Sequence, residues 1–225
     1  MSATRATFSE HDSEPVRGLP APLPAGETLL WQGSPRWWPL ALDAYRVRAL
    51  AVYFAVVVAA RGVWLLSEGA SLTAAAAGCI GPAVFSLVCL ALLTGIAALA
   101  ARGTVYTVTS RRVVIRQGIA LSSTLNLPFT VLRSADLRGR SDGSGDIALD
   151  PLPGQRVSYL WMWPHVRPWQ WTRPQPMLRN LPDVEAVGSL LARAFAAADG
   201  RGAVRVGPPI VVEDRVTATP AGVAP

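Results

Sequence analysis

The sequence predicts an α+β membrane protein: a two-helix transmembrane hairpin, then a small antiparallel β domain that a C-terminal amphipathic helix closes. Three observations lead there. Residues 47–101 are apolar and interrupted by only three charges, Arg48, Arg61 and Glu68. Past Ala101 the apolar period changes from helical to alternating, which is the signature of half-buried strands. Residues 184–195 then carry a single apolar stripe at helical spacing. Composition agrees, since 51% hydrophobic and 16% charged residues exceed the apolar content of an ordinary soluble domain.

Taken in order, residues 1–25 are polar, carry acids, and read as a disordered lead rather than a secretory signal. Residues 26–46 form an N-terminal cytoplasmic segment. Residues 47–66 supply the 20 or so positions that a helix needs to cross roughly 30 Å of hydrocarbon. The 33 residues from Gly69 to Ala101 hold no charge, and as one straight helix they would rise about 50 Å, too long for a bilayer. Gly81-Pro82 divides them, because proline suits a first helical turn; residues 67–81 become an extracytoplasmic link and residues 82–101 the second span. Arginines flank both outer ends of the pair and the link has none, which places both termini in the cytoplasm. Arg61 lies inside the first span, either snorkelling toward the far headgroups beside Trp64 or pairing with a partner's intramembrane acid. Ala91 and Gly95 have the spacing of a close helix contact.

The β domain occupies residues 102–199. Strands are expected in TVYTVT, VVIRQG, IALSSTLNLP, FTVLRSADLR, DIALDPL and RVSYLWMW, with SDGSG as a hairpin turn. A proline-rich connection leads to the last helix, where Asp183 is the N-cap and Val184, Val187, Leu190, Leu191, Ala194 and Phe195 face the core. Residues 200–225 read as a disordered tail.

Enzymatic chemistry finds no support. The histidines are His11 and His165 alone, so no Ser-His-Asp or Cys-His set can be assembled, and the one glycine cluster is flanked by acids that would repel phosphate. Cys79 and Cys89 belong to no metal-ligand spacing and read as small buried hydrophobes. From Arg102 to Arg179 there are eleven arginines against four aspartates, a surplus that suits anionic headgroups or an acidic partner surface. Arg111, Arg112 and Arg116 are candidates for that contact. Nucleic acid is excluded, because no recognition helix or RNA-binding aromatic motif accompanies the charge.

The stretch YLWMWPHVRPWQW, residues 159–171, holds four of the eight tryptophans. Alternation predicts that its first half is a strand with Tyr159, Trp161 and Trp163 packed inward. After Pro164 a strand should stop, leaving Arg167, Trp169 and Trp171 on an irregular segment that either contacts a partner or membrane or folds back on the sheet. His165 is hydrogen-bonded or solvated, or it is an axial ligand to bacteriochlorophyll or haem.

Two resemblances sharpen this reading. GETLLWQGSP before the hairpin and YTVTSRRVVIRQG after it resemble bacterial pleckstrin-homology-like domains of the YdbS type; the matching positions are Glu27, Leu29, Leu30, Trp31, Gly33, Pro35, Tyr106, Thr109 and Arg112. Together with TLNLPF, SDGSGDIAL and YLWMWPHVRPWQWTRPQPMLRNLPD, the chain resembles the PuhB family of photosynthetic-complex assembly proteins. That family is described with a further membrane segment that this hydropathy pattern does not display. The resemblance implies a non-enzymatic factor, without a cofactor of its own, in the cell inner or intracytoplasmic membrane. Its expected partners are membrane lipids, reaction-centre and light-harvesting subunits or other assembly factors, with a homo-oligomer as a further arrangement. The alternative is a general envelope protein whose pleckstrin-homology-like domain binds lipid or protein with no photosynthetic role.

Overall fold

The computed structural model describes residues 18–19, 21–155, 157–199 and 203–206. Its elements in chain order are β1 (Leu29–Gly33), α1 (Trp37–Asp43), α2 (Val47–Ser67), α3 (Leu72–Arg102), β2 (Val105–Thr109), β3 (Arg112–Gln117), β4 (Ser123–Pro128), β5 (Leu132–Gly139), β6 (Gly145–Pro151), α4 (Tyr159–Met162), β7 (Met177–Leu181), α5 (Val184–Asp199) and β8 (Ala203–Val206). The mixed α+β architecture is the one expected, with two long apolar helices, antiparallel sheets and a closing helix.

Helices α2 and α3 are long and apolar enough to cross a membrane, and only 0% and 17% of their most apolar windows are buried inside the chain. A core helix of a soluble domain would be covered on most sides; these are not. They run antiparallel, with Cys79 Sγ 3.7 Å from the Val58 carbonyl and Ala97 sharing an apolar cluster with Val47. The expected break at Gly81-Pro82 does not occur, and the link shrinks from residues 67–81 to residues 68–71. Ser71 starts α3 early, because its hydroxyl accepts from the Ala74 N–H at 3.2 Å and caps the helix. Pro82 then sits inside the helix, where it removes one N–H that a membrane helix can forgo, and Ser86 donates to the Pro82 carbonyl at 2.7 Å. The resulting 31 residues rise about 46 Å, more than a bilayer needs. The surplus lies at the far end, where Leu40 and Ala41 of α1 cover Ala97, Ala100 and Ala101.

The strands form two four-stranded sheets, in the orders β1-β2-β3-β4 and β7-β6-β5-β8. All pairs are antiparallel except β5 with β8. One apolar core lies between them: Tyr106, Val108, Val113, Ile115 and Leu127 from the first sheet meet Ala135, Leu137, Ile147, Leu149, Leu178 and Leu181 from the second. Helix α5 closes it as expected. Asp183 caps it by accepting from the Ala186 N–H at 3.0 Å, and Val184, Val187, Leu191, Ala194 and Phe195 are buried. Gly188 lets α5 approach, since a Cβ there would lie 2.1 Å from Leu137 Cδ1.

Four expectations are corrected. Residues 26–46 are not a separate segment: β1 pairs with β2, so the hairpin is an insertion between two neighbouring strands of one sheet. Residues 119–122 leave the expected strand, because Gly118 turns the chain at φ 135° with its Cα so close to the Leu121 carbonyl that a Cβ would lie 2.0 Å from it. Residues 159–162 are a helical turn rather than a strand, with the Ser158 hydroxyl accepting from the Trp161 N–H. Strand β7 was hidden in the proline-rich connection, and β8 falls in the expected tail. Of the expected lead and tail, residues 1–17, 20, 200–202 and 207–225 lie outside the described residues, whereas Leu19 is buried.

Candidate functional site

The sheet domain is joined to the hairpin by a chain of buried hydrogen bonds. The Arg179 N–H donates to Tyr106 Oη at 3.1 Å. That bond leaves the tyrosine proton for His165 Nδ1, 2.7 Å away. On the other side of the ring, Nε2 is 2.9 Å from Thr104 Oγ1, and Thr104 donates to the Ala100 carbonyl at 2.7 Å. Since Thr104 spends its proton on Ala100, Nε2 must be the nitrogen that carries the imidazole hydrogen. The whole chain then runs in one direction, from β7 through β2 to the last turn of α3. Tyr106, His165 and Thr104 are all buried. Burial, assisted by the Arg179 guanidinium, pushes the His165 pKa down to about 3, so the ring is neutral and the polarity of the chain is kept. In this geometry neither ring nitrogen of His165 has a lone pair to offer a pigment, because Nδ1 accepts from Tyr106 and Nε2 is protonated.

Helix α1 is fastened beside this spine. The Arg36 N–H donates to the Asn180 carbonyl at 3.1 Å, and Arg140 bridges Asp43 at 2.9 Å and Asp146 at 2.7 Å. Desolvation raises the Asp43 carboxyl above its usual value even beside Arg140. Asp146 in turn accepts from the Asn180 N–H.

Around this joint the chain displays an aromatic collar. Trp37 and Trp38 project from α1 beside Ala101 and Arg102, flanking one groove. Trp163 packs edge-on against Tyr45 with ring centres 4.9 Å apart, directly before α2 begins. Trp171 stacks on Tyr159 at 4.0 Å, and with Trp163, Trp169, Ala44 and Arg46 they line a second groove. Trp169 is 79% exposed and held at φ 66°, a region that non-glycine residues seldom adopt. With Trp161, which lines a further groove beside Ile96 and Ala100 of α3, six tryptophans therefore lie around the end of the hairpin that carries the sheets. A run of amphipathic rings at one level is what a membrane–water boundary selects.

The sequence-derived candidates are placed as follows. Trp169 and Trp171 are in the collar, exposed as expected. Trp161 and Trp163, expected to pack inward, are also exposed; Met162 is the residue that enters the core. Arg167 lies beside the collar but is bound to Asp136 at 3.1 Å and to Gln175 at 3.0 Å. Arg111 and Arg112 are not with them: they lie at the β2–β3 turn, with the five residues of β2, about 17 Å of strand, between them and the hairpin. Arg112 there is forked onto the buried Glu27 carboxylate. Arg116 returns toward the hairpin, opposite Val105. Arg61 is remote from all of these, its guanidinium 5.2 Å over the Trp64 ring. Sequence reasoning missed Thr104, Gln117, Arg179 and the pair Trp37-Trp38, and had Tyr106 only as a motif position without its role; the apolar spacing of WWPLALD just before a span was the available signal for the tryptophan pair.

The sequence matches the bacterial PH domain family over residues 47–195, well over half of the chain. The protein belongs to the bacterial PH domain family. It is also 39% identical, over 194 residues covering 84% of this chain and 90% of the relative, to a Rhodobacter capsulatus protein described as "Uncharacterized 23.7 kDa protein in puhA 5'region". No solved structure matches it. The family match begins at Val47 and so omits β1 and α1, which here supply a sheet edge and the tryptophan pair of the collar. In this bacterial PH domain protein the part beyond the family match is thus joined to the same base.

Proposed function

We propose that this protein is a non-enzymatic integral membrane assembly factor for the photosynthetic reaction centre and its light-harvesting complex. The hairpin sits in the inner or intracytoplasmic membrane with both termini cytoplasmic, and the sheet domain rests on the membrane surface by its collar. Exposed tryptophan and arginine side chains there contact incoming membrane subunits or other assembly factors. The observation that carries the scaffold role is the collar itself. Trp37, Trp38, Trp161, Trp163, Trp169 and Trp171 are all at least 45% exposed around one end of a lipid-compatible hairpin. Aromatic side chains of this kind are favoured both at headgroup level and as interface anchors. Support for the photosynthetic context comes from the resemblance to the PuhB family and from a relative described by its position beside puhA.

Deletion in a phototrophic host is expected to lower reaction-centre absorbance while leaving non-phototrophic growth intact. Restoring the chain as W169A/W171A should recover its abundance in the membrane but not the absorbance. Growth that fails under every condition, with absorbance per cell unchanged, would point to the general envelope role instead.

A further inference from the structure

A third groove opens at the base, between the last turns of α3 and the loop joining β3 to β4. It holds about 370 Å³ and is lined by Ile96 and Ala100 of α3, Ile119 and Leu121 of the loop, and Trp161 and Trp163. Leu121 is 86% exposed and Ile119 is 54% exposed. Two large apolar side chains held in the open on a five-residue loop, residues 118–122, are costly in water and favourable in hydrocarbon. Their groove shares its wall with α3, so it continues the lipid-facing surface of the hairpin.

At its inner end lies an unusual polar atom. Gln117 is 7% exposed and lines the groove. Its Nε2 donates to the Trp161 carbonyl at 2.6 Å, which fixes the amide orientation, because the reversed amide would set two oxygens against each other. Its Oε1 is consequently left without a donor among the described residues. A buried acceptor in that state is destabilising, and a ligand donor removes the penalty. The oxygen is covered by its neighbours, so a donor reaches it only as the rim gives way; Leu121 and Trp161 are rim side chains with most of their surface open.

We propose that this groove is a lipid site that takes one acyl chain of an anionic, hydroxyl-bearing phosphoglyceride of the phosphatidylglycerol type, with a headgroup hydroxyl donating to Gln117 Oε1. The apolar walls fit the chain, and the unmet acceptor selects a donor headgroup over choline, which has none. The anionic preference follows from Arg46 and Arg102, which line the two neighbouring grooves rather than this one and put positive charge at the same end of the hairpin. The inference rests on the membrane placement proposed above and adds a ligand to it.

The test reconstitutes the full chain in vesicles of phosphatidylcholine or of phosphatidylglycerol, each with brominated acyl chains, and reads tryptophan quenching and lipid retained through detergent purification. Wild type should be quenched more by the brominated phosphatidylglycerol and should retain it selectively. L121D, whose side chain lies outside the core, and Q117L should each lose that selectivity while staying in the membrane fraction. Equal quenching by both lipids, or selectivity that survives both substitutions, would overturn the lipid site. Release of wild type from membranes by alkaline carbonate is a separate outcome that removes the membrane placement itself, and with it this inference.

Discussion

Replacing His165 by alanine is expected to lower the stability of the folded chain by about 3–5 kcal/mol, read as a large fall in the midpoint of thermal unfolding in detergent. The substitution deletes a fully buried side chain and leaves two groups unpaired: the Tyr106 hydroxyl loses its acceptor and Thr104 Oγ1 its donor. Each orphaned group costs about 1–3 kcal/mol, and the void adds to it. Y106F should cost less, about 1–2 kcal/mol, because it fills the same space and strands only the Arg179 N–H and His165 Nδ1. The double variant H165L/Y106F should be less damaging than the sum, since apolar groups then replace both ends of one bond. The linkage has a definite sign. The folded pKa of about 3 lies below the unfolded 6.5, so between these values only the unfolded chain takes up the proton. Stability due to neutral His165 is therefore complete above pH 6.5 and declines as the pH falls toward 3. H165A should lose that part of the acid sensitivity, and an unchanged pH profile would contradict the assignment.

The second large effect is expected at Arg112. Its Nε donates to Glu27 Oε1 at 2.7 Å, its Nη2 donates to Glu27 Oε2, and Thr109 donates to Glu27 Oε1 at 2.6 Å. The Glu27 side chain is only 2% exposed. R112A would leave a buried carboxylate bonded only by the Thr109 hydroxyl, with the Arg111 charge nearby, at a cost of about 3–5 kcal/mol. R112K should recover only part, because an ammonium cannot make the forked contact. The Arg112 bonds hold the Glu27 pKa below its usual value, so the contribution of the pair is full above the ordinary carboxylate range and is lost as the pH falls through the lowered folded value. R112A should show a flatter stability profile in acid. A loss under 1 kcal/mol, with the wild-type acid profile retained, would show that Glu27 is solvated instead. The consequence is topological: Glu27 precedes β1, so releasing it frees the strand that closes the sheet around the hairpin insertion.

How far the sequence disclosed this arrangement depended on whether a residue's role was periodic. The two long apolar helices, the cap at Asp183 and the α5 stripe follow from local spacing and are found, although the second helix begins at Leu72, ten residues before the expected start at Pro82. Pro82 misled because proline usually starts or ends a helix in water, whereas Ser71 had already begun this one. Alternation in RVSYLWMW misled for a different reason: a strand pattern over so few residues is also compatible with one helical turn, and Ser158 supplied the cap. Strand β7 escaped notice because its centre is Arg179-Asn180, two polar residues whose burial depends on Tyr106, Asp146 and Arg36 from distant parts of the chain. The collar was half legible: Trp169 and Trp171 stood out, while Trp37 and Trp38 join them only through the packing of α1 on α3. The sequence left His165 hydrogen-bonded, solvated or an axial ligand, and only the fold reveals that Tyr106 and Thr104 enclose it.

The level of the collar in the membrane is the central claim, and depth-dependent quenching measures it. Wild type and W169F/W171F would be reconstituted in vesicles carrying nitroxides either near the headgroup or near the end of the acyl chain, and the difference between the two proteins isolates Trp169 and Trp171. The account predicts that this difference signal is quenched strongly by the shallow label and weakly by the deep one. Quenching by neither, with full accessibility to aqueous iodide, would place the collar in bulk water and contradict it.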